Sequence, residues 1–302
     1  MKKDLINLSD LTKDSITEIL DLAGKMKHDL KHGNEHKVLK GKTLAMIFQK
    51  PSTRTRVSFE VGMYQLGGHA LFLNTNDLQI GRGEPVCDTA RVLSRYVDGI
   101  MIRTSSHSEV ESFAKWASIP VINGLTDLSH PCQVLADLMT IREYKKTLEG
   151  THLAYIGDGN NMCNTLIEGG LICGMKVSIA TPGGYEPNQN VLEFAKKYGD
   201  NFSLTNNPKE AAASADVLVS DVWASMGHEA EVAVRKTAFT GFQINHELLA
   251  AAQPNAIVQH CLPAKRGEEI TDEAFEAHAG PIFDEAENRL HVQKAVMALL
   301  MG

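Results

Sequence analysis

Short apolar segments alternate with helical segments along the chain, and this alternation limits the possible folds more than any other feature. The predicted strands lie at 43–48, 70–73, 99–103, 120–123, 152–156, 176–180, 217–222 and 256–260. Helical patterns separate them, notably at 84–96, 108–118 and 131–146, and two more follow at 271–277 and 290–301. Strands that alternate with helices pair in parallel. The sequence therefore predicts an α/β protein with doubly wound parallel sheets.

The chain has 302 residues, which is long enough for two domains with a core each. The long helical segment that begins at 131 divides the two alternating series, so we predict domains at 1–130 and 131–288. Near the start, Ser15-Ile16-Thr17-Glu18 has the form of a capping box and predicts a helix beginning there.

Composition excludes several classes of protein. The net charge is −7, which argues against a nucleic-acid partner and against an anionic membrane surface. No apolar run reaches the roughly 18 residues that a membrane span needs, and no signal-peptide pattern follows Met1. The five cysteines are widely spaced without a C-x-x-C pair, so we expect neither a disulfide framework nor a structural zinc site, and a cytoplasmic location.

The segment Ser52-Thr53-Arg54-Thr55-Arg56 directly follows the first predicted strand and precedes an apolar helical pattern. Backbone N–H groups at a helix N-terminus, hydroxyl donors and arginine forks together are typical of a phosphate site. A plain Ser/Thr N-cap before a solvated basic turn is the alternative. Since a cap needs one hydroxyl and no arginine, the surplus favours an anion site.

Other polar residues also lie where predicted strands end: Arg103, the segment 158–161, the segment 221–226, and His260-Cys261. In open parallel sheets, ligands bind beyond the carboxyl ends of the strands. The shared placement therefore predicts that these residues belong to ligand sites.

Two candidate features lie in the first predicted domain or at its boundary with the second. Arg103 either faces the ligand crevice or is an exposed arginine at a strand end. His130-Pro131-Cys132-Gln133 opens the long helix with proline at the favoured first position. His130 and Gln133 are then candidate partners for a carbonyl or amide, with a structural histidine as the alternative.

Gly157-Asp158-Gly159-Asn160-Asn161 invites a dinucleotide-binding interpretation, which fails on detail. Position 162 is methionine where the third glycine belongs, and the next strand ends without the acidic residue that binds a ribose. We interpret Asn161 as a polar ligand contact, with a simple glycine-rich turn as the alternative. Asp221, followed by a small-residue loop, suits recognition of an ammonium group, unless it only caps a turn.

His260-Cys261 ends the last predicted strand. The chain offers no further metal ligands at suitable spacing nearby. Neighbouring residues on a strand point to opposite faces, so His260 is badly placed to activate Cys261 as a nucleophile. Cys261 is therefore either a substrate contact or a buried structural cysteine.

Together these motifs resemble the ornithine carbamoyltransferases, over nearly the whole chain and in the family's order. The resemblance depends on Ser52-Thr53-Arg54-Thr55-Arg56, His130-Pro131-Cys132-Gln133, residues 221–227, His260-Cys261-Leu262-Pro263 and residues 284–291. The first motif marks the wider carbamoyltransferase superfamily, while Ser225-Met226-Gly227 and the His-Cys-Leu-Pro segment select ornithine. His228 and Lys265 depart from the usual pattern, which puts loop kinetics and pH behaviour in question.

The resemblance implies a carbamoyl-phosphate domain, an ornithine domain, and a C-terminal helix at about 289–302 that returns to the first domain. It also implies a homotrimer, or a multiple of trimers, with active sites at subunit interfaces and no metal or cofactor. The implied carbamoyl-phosphate contacts are Ser52, Thr53, Arg54, Thr55, Gln79 (from a neighbouring subunit), Arg103, His130, Pro131, Cys132, Gln133, Cys261, Leu262 and Arg289. The implied ornithine contacts are Asn161, Asp221, Ser225 and Met226. The implied catalytic residues are Arg54, Arg103, His130, Cys261 and Arg289.

The reaction implied is transfer of a carbamoyl group from carbamoyl phosphate to the δ-amine of L-ornithine, which gives L-citrulline and phosphate in arginine metabolism. A carbamoyltransferase for putrescine, N-acetylornithine or aspartate is the alternative within the superfamily. A nucleotide-dependent dehydrogenase fails on the missing glycine and acidic residue. A non-catalytic phosphate- or amino-acid-binding protein explains the anion site but not the many polar strand ends.

Overall fold

The structure is a computed structural model that describes residues 3–224 and 231–302. All pairs of strands within these residues are parallel. The strands are β1 (Thr43–Phe48), β2 (His69–Asn74), β3 (Gly99–Arg103), β4 (Val121–Leu125), β5 (His152–Ile156), β6 (Lys176–Ala180), β7 (Phe202–Thr205), β8 (Val217–Ser220) and β9 (Ile257–His260). One sheet has the order β2-β1-β3-β4, and the other has the order β7-β6-β5-β8-β9. In both sheets the order reverses beside the first strand, as in doubly wound folds.

Helices connect the strands in the alternation that the sequence predicts. They are α1 (Lys13–Lys31), α2 (Thr53–Gln65), α3 (Val86–Leu93), α4 (His107–Trp116), α5 (Pro131–Lys145), α6 (Asn161–Ile172), α7 (Gln189–Ala195), α8 (Pro208–Ala212), α9 (Val232–Ala238), α10 (His246–Ala251), α11 (Asp272–Ala277) and α12 (Ala279–Met301). The predicted α/β class with two parallel sheets is confirmed. Among the residues described, no helix is both long and apolar enough to cross a bilayer.

The chain forms two compact units. The first contains the residues up to Ala136 together with Asn288–Gly302, and the second contains Asp137–Glu287. Two long helices, α5 and α12, each contribute residues to both units. The end of the chain therefore returns to the first unit, as the fold prediction states.

The core of each unit lies on its sheet. In the first unit, Ala45 and Ile47 of β1 lie beside Ile100 and Ile102 of β3 in register, and all four are fully buried. Phe113 of α4 belongs to the same cluster. Burial of one large aliphatic or aromatic side chain contributes about 1.5–3 kcal/mol. Strands that are covered on both faces require apolar runs without alternation. The sequence contains such runs here, and they explain why these strands were predicted well.

A strand and the last helix differ most from the sequence prediction. The strand β7 was not predicted, because it is a four-residue edge strand with half-exposed and exposed side chains. Helix α12 begins at Ala279 and not at 290. Pro281 lies in its first turn, where a missing N–H is tolerated, and buried polar residues such as Glu285 and Asn288 hide its apolar periodicity.

The predicted start of the first helix is wrong by one turn. Helix α1 begins at Lys13, and the Thr12 side chain accepts a hydrogen bond from the Ser15 backbone N–H at 3.1 Å. Ser15 is therefore the third helical residue and not the cap. The Ser-x-x-Glu pattern is inside the helix, where its capping function does not apply.

We predict that Thr12→Ala lowers the free energy of unfolding by about 1 kcal/mol, because it leaves helix N–H groups without their acceptor. The matched control is Thr17→Ala, since the Thr17 hydroxyl donates only to the Lys13 carbonyl within the helix and is exposed. We expect that control to be neutral or slightly stabilising. Urea denaturation of both variants measures the difference, and equal losses would contradict the cap at Thr12.

Candidate active site

The first candidate cluster begins where β1 leads into α2. Ser52 is the N-cap of α2, and its hydroxyl accepts a hydrogen bond from the Thr55 backbone N–H at 3.2 Å. The plain capping role is therefore correct for Ser52. It does not account for the rest of the motif, because the Thr55 side chain is buried and its hydroxyl accepts from Arg289 Nη2 at 3.3 Å.

Arg289 connects three helices of the first unit. Besides Thr55 of α2, its Nη1 donates to Gln133 Oε1 of α5 at 2.6 Å. With the Gln293 carboxamide oriented so that its oxygen faces the guanidinium, Arg289 Nη2 also donates to it at 2.9 Å. Arg289 is 3% exposed. These three contacts hold the guanidinium in place.

The charges of three arginines act on His130. Burial lowers the pKa of the His130 ring well below its ordinary value, and the positive charges of Arg289, Arg103 and Arg54 lower it further. The same three charges make this part of the first unit strongly cationic. His130 is consequently neutral at physiological pH, in a region of positive potential that suits an anion.

Arg103 is the last residue of β3, in register with Phe48 at the end of β1. It is 7% exposed, so the alternative of an exposed arginine at a strand end is wrong. The parallel register places Arg103 at the same edge of the sheet as the segment that leads into α2.

The remaining predicted residues of the first unit have different surroundings. Pro131 is the first residue of α5, as expected. Cys132 is fully buried, its thiol donates to the Asn123 carbonyl at 3.6 Å, and burial raises its pKa to about 12. Thr53 is exposed at the first turn of α2, and Gln79 is exposed at the start of a short 3-10 turn, Gln79–Arg82. The structure thus brings Thr55, Gln133 and Arg289 into contact, with Arg54, Arg103 and His130 beside them.

The second candidate cluster is centred on Asp221, directly after β8. Its carboxylate accepts hydrogen bonds from Asn160 Nδ2 at 2.8 Å, from the Val222 backbone N–H at 2.8 Å and from Cys261 Sγ at 3.2 Å. The contact with Cys261 joins the ends of β8 and β9, which are neighbours in the sheet. Three separate chain segments therefore converge on one carboxylate.

Asn160, which the sequence analysis included in the segment 158–161 without singling it out, makes the contact with Asp221. It is also the N-cap of α6, where its Oδ1 accepts from the backbone N–H groups of Met162 and Cys163. The predicted contact Asn161 is the first residue of that helix. The preference of asparagine for N-cap positions was a usable signal for Asn160. Gly159 is explained by packing, since a Cβ there would lie 2.3 Å from the backbone carbon of Glu186.

Cys261 and His260 do not act on one another. Burial raises the pKa of the Cys261 thiol well above its ordinary value, and the neighbouring Asp221 carboxylate raises it further. His260 instead contacts Glu269 Oε1 through Nε2 at 3.1 Å, and its Nδ1 accepts from the Leu262 backbone N–H at 3.0 Å. Cys261 is thus a protonated donor, and His260 orients the Cys261–Leu262 backbone.

Arg235 is a further residue that the sequence analysis missed. Its guanidinium donates to Asp158 Oδ2 at 2.8 Å, to the Trp223 carbonyl at 2.8 Å and to Glu231 Oε2 at 2.9 Å. Trp223 and Glu231 lie on either side of 225–230 in the chain, and Asp158 follows β5. No sequence motif identifies this arginine, because its partners are far apart from one another in the sequence. The predicted ornithine contacts Ser225 and Met226 lie outside the described residues.

Across 3–224 and 231–302, no three His, Cys, Asp or Glu side chains are grouped so that they could hold a metal ion. All five cysteines are free thiols.

Polar residues thus lie at the carboxyl edges of both parallel sheets, one set strongly cationic and one centred on a carboxylate. This arrangement is typical of the two-domain α/β class, whose ligands bind at those edges. The chain belongs to the aspartate/ornithine carbamoyltransferase family. The carbamoyl-P binding domain of that family matches residues 3–143, and its Asp/Orn binding domain matches residues 149–300.

Individual relatives are similar along their whole length. The ornithine carbamoyltransferase of Syntrophotalea carbinolica is 58% identical over 302 residues, which is 100% of both chains. The solved ornithine carbamoyltransferase of Pyrococcus furiosus has a TM-score of 0.94 and 53% identity, with coverage of 99% of this chain and 97% of that one. The anabolic ornithine carbamoyltransferase of Campylobacter jejuni has a TM-score of 0.94 and 44% identity, with coverage of 99% of each chain.

The electrostatics of His130 give a direct prediction. In NMR titrations of the full chain, we expect the His130 ring to stay neutral as the pH falls through about 6.5, where an unperturbed histidine takes up its proton. The urea-unfolded chain is the control, since His130 should titrate normally there. Because the unfolded state then binds more protons than the folded state, this residue makes folding less stable as the pH falls below about 6.5. A normal His130 titration in the folded chain would contradict the site as described.

Proposed function

We propose that this chain transfers the carbamoyl group of carbamoyl phosphate to the δ-amine of L-ornithine, with L-citrulline and phosphate as products. The observation that carries the proposal is the cationic cluster in which Arg289 holds Thr55 and Gln133 beside a neutral His130. Full-length relatives with the name ornithine carbamoyltransferase, such as that of Syntrophotalea carbinolica, support ornithine over the other amines.

The first cluster is proposed to bind carbamoyl phosphate. The N-terminus of α2, with the hydroxyls of Ser52 and Thr53, presents donors to the phosphate, and Arg54 and Arg103 supply positive charge. As the amine nitrogen forms its bond to the carbonyl carbon, the bond from that carbon to the phosphate oxygen breaks. The arginines then stabilise the negative charge that grows on the leaving phosphate, which requires no covalent enzyme intermediate.

The carbonyl oxygen of the carbamoyl group becomes more negative during the attack. Thr55, Arg103 and His130 are the proposed donors to this oxygen, and Gln133 is the proposed partner of the carbamoyl amide. A neutral imidazole donates a hydrogen bond without carrying charge, and the three nearby arginines keep it neutral. Because Arg289 fixes both Thr55 and Gln133, its proposed contribution includes their orientation.

The second cluster is proposed to bind ornithine. The Asp221 carboxylate suits the α-ammonium group, and Asn161 with Ser225 and Met226 are the further contacts proposed from the sequence. The δ-amine, whose pKa is near ~10 in a lysine-like group, must lose a proton before it attacks. Cys261 is already protonated and donates to Asp221, which argues against a role as the base that removes this proton. With Leu262, Cys261 remains a proposed contact of the carbamoyl group.

Assembly and setting are proposed on the same basis. We propose a homotrimer, in which the exposed Gln79 reaches the site of a neighbouring subunit. A cytoplasmic setting and a place in arginine biosynthesis are proposed as well. The anabolic relative from Campylobacter jejuni supports that direction of metabolism.

We predict that Arg54→Ala lowers kcat/KM for carbamoyl transfer by about 10²–10³-fold, the usual effect of removing one preorganised donor from a transition state. Arg56→Ala is the matched control on the same helix, because Arg56 pairs with Glu60 at 2.9 Å and stacks on Phe72. Steady-state phosphate release with ornithine measures both. A near-normal Arg54→Ala variant would remove Arg54 from the site.

The amine specificity is tested by phosphate release from carbamoyl phosphate with ornithine, putrescine, N-acetylornithine and aspartate in parallel. We expect strong selectivity for ornithine, since Asp221 recognises a free α-ammonium group and putrescine has none. Preference for another amine would retain the first cluster and overturn the assignment of the second. Absence of turnover with all four would favour a binding protein.

A further inference from the structure

A cavity of about 600 Å³ lies in the first unit, apart from the cationic cluster. Its walls come from the end of α1 with the loop that follows, from the end of α2, and from α12. They comprise Leu30, residues 33–37, Lys40, residues 64–65, residues 67–68 and Lys294. The volume is typical of small-molecule sites, and none of these residues belongs to either candidate cluster.

Lys294 is the unusual group in this cavity. It is 2% exposed, and the one partner that the structure gives its ammonium group within the described residues is Gln65 Oε1 at 2.9 Å. Its stem passes over Gly62, where a Cβ would lie 3.3 Å from Lys294 Cγ. An ammonium group has three donors and carries a full charge, so one amide oxygen satisfies it poorly. Burial correspondingly lowers the pKa of Lys294.

Most of the other charged groups that line the cavity are paired with one another or with a neighbouring residue. Glu35 is paired with Lys37 at 2.6 Å, and His36 is paired with Asp29 at 2.6 Å. Lys40 is exposed and, in the parts of the chain that the structure describes, has no carboxylate partner. After these pairings, Lys294 inside the cavity and Lys40 at its wall leave an excess of positive charge.

We propose that this cavity is a second anion site, which takes a small molecule bearing a carboxylate or phosphate group with Lys294 Nζ as its anchor. Lys40 contributes long-range attraction, and the side chains of Asn34 and Tyr64 supply further hydrogen-bonding groups at the wall. An oxyanion placed against Lys294 gives the buried ammonium the charged partner that Gln65 does not provide.

The proposed site is separate from the cationic cluster but shares its helices. Helix α2 has 13 residues, so its start at Thr53 and its end at Gln65 are about 18 Å apart. On α12, Arg289 belongs to the first cluster and Lys294 to the cavity. Occupation of one site therefore does not block the other, and the rigid helices offer a route for coupling between them.

The test uses calorimetric titration of the full chain with two probes, sodium phosphate and sodium succinate. The background is Arg54→Ala, which weakens phosphate binding at the cationic cluster. We expect Lys294→Met on that background to weaken binding of the anion about 10-fold or more, since a charge-assisted contact is lost. The methionine stem keeps the packing against Gly62. Lys115→Met, an exposed lysine of α4 outside the cavity, is the control and should change nothing.

The pattern of binding decides between the two ligand classes. A Lys294-dependent response to phosphate alone assigns phosphate-bearing molecules, and a response to succinate alone assigns carboxylates. If Lys294→Met fails to fold, Lys40→Met replaces it, with an expected loss of several-fold that shrinks at high salt. Anion binding that is absent, or unchanged in both variants, would overturn the proposal. A Lys294→Met variant that loses only thermal stability would show that the lysine merely stabilises the end of α2.

Discussion

The arrangement of the first cluster depends on the contacts of the buried Arg289 guanidinium. It holds Thr55 at the start of α2 and Gln133 at the start of α5, although these residues lie in separate parts of the chain. The planar guanidinium donates to two acceptors in fixed directions, which the ammonium group of a lysine cannot do. Its positive charge also contributes to the potential that lowers the pKa of His130. The C-terminal helix is therefore as much a part of the candidate site as the N-terminal motif.

The two clusters have opposite electrostatic character, and burial has a consistent effect in both. In the first, burial and then the charges of three arginines keep His130 uncharged, and in the second, burial and Asp221 keep Cys261 protonated. A protonated thiol is a poor nucleophile, and a neutral imidazole and a thiol each carry a proton that they can donate in a hydrogen bond. This combination favours chemistry by positioning and charge stabilisation over chemistry through a covalent intermediate. The arginines concentrate positive charge in the first cluster. A chain with a net charge of −7 therefore still offers a local site that suits an anion.

The sequence predicted what depends on local pattern and missed what depends on distant contacts. Buried strands such as β3 were located because continuous apolar runs have few alternative structures, whereas the edge strand β7 gave too weak a pattern. The polar strand ends were found because parallel topology brings them to one edge. Asn160 and Arg235 were missed, since their partners Asp221 and Asp158 lie 61 and 77 positions away. The resemblance to a known family supplied Arg289, which no local pattern connects with Thr55.

Helix α12 carries two buried cations whose surroundings differ in a way that distinguishes their roles. Arg289 has three neutral oxygens from α2, α5 and its own helix, which suit the five donors of a guanidinium. Lys294 has one amide oxygen, from the far end of α2, and lies beside an open cavity. A chain that needed only packing at this position could have used an apolar residue of similar volume at lower desolvation cost. The buried ammonium is better explained by a charged partner that enters from the cavity, because such a partner makes the positive charge an advantage.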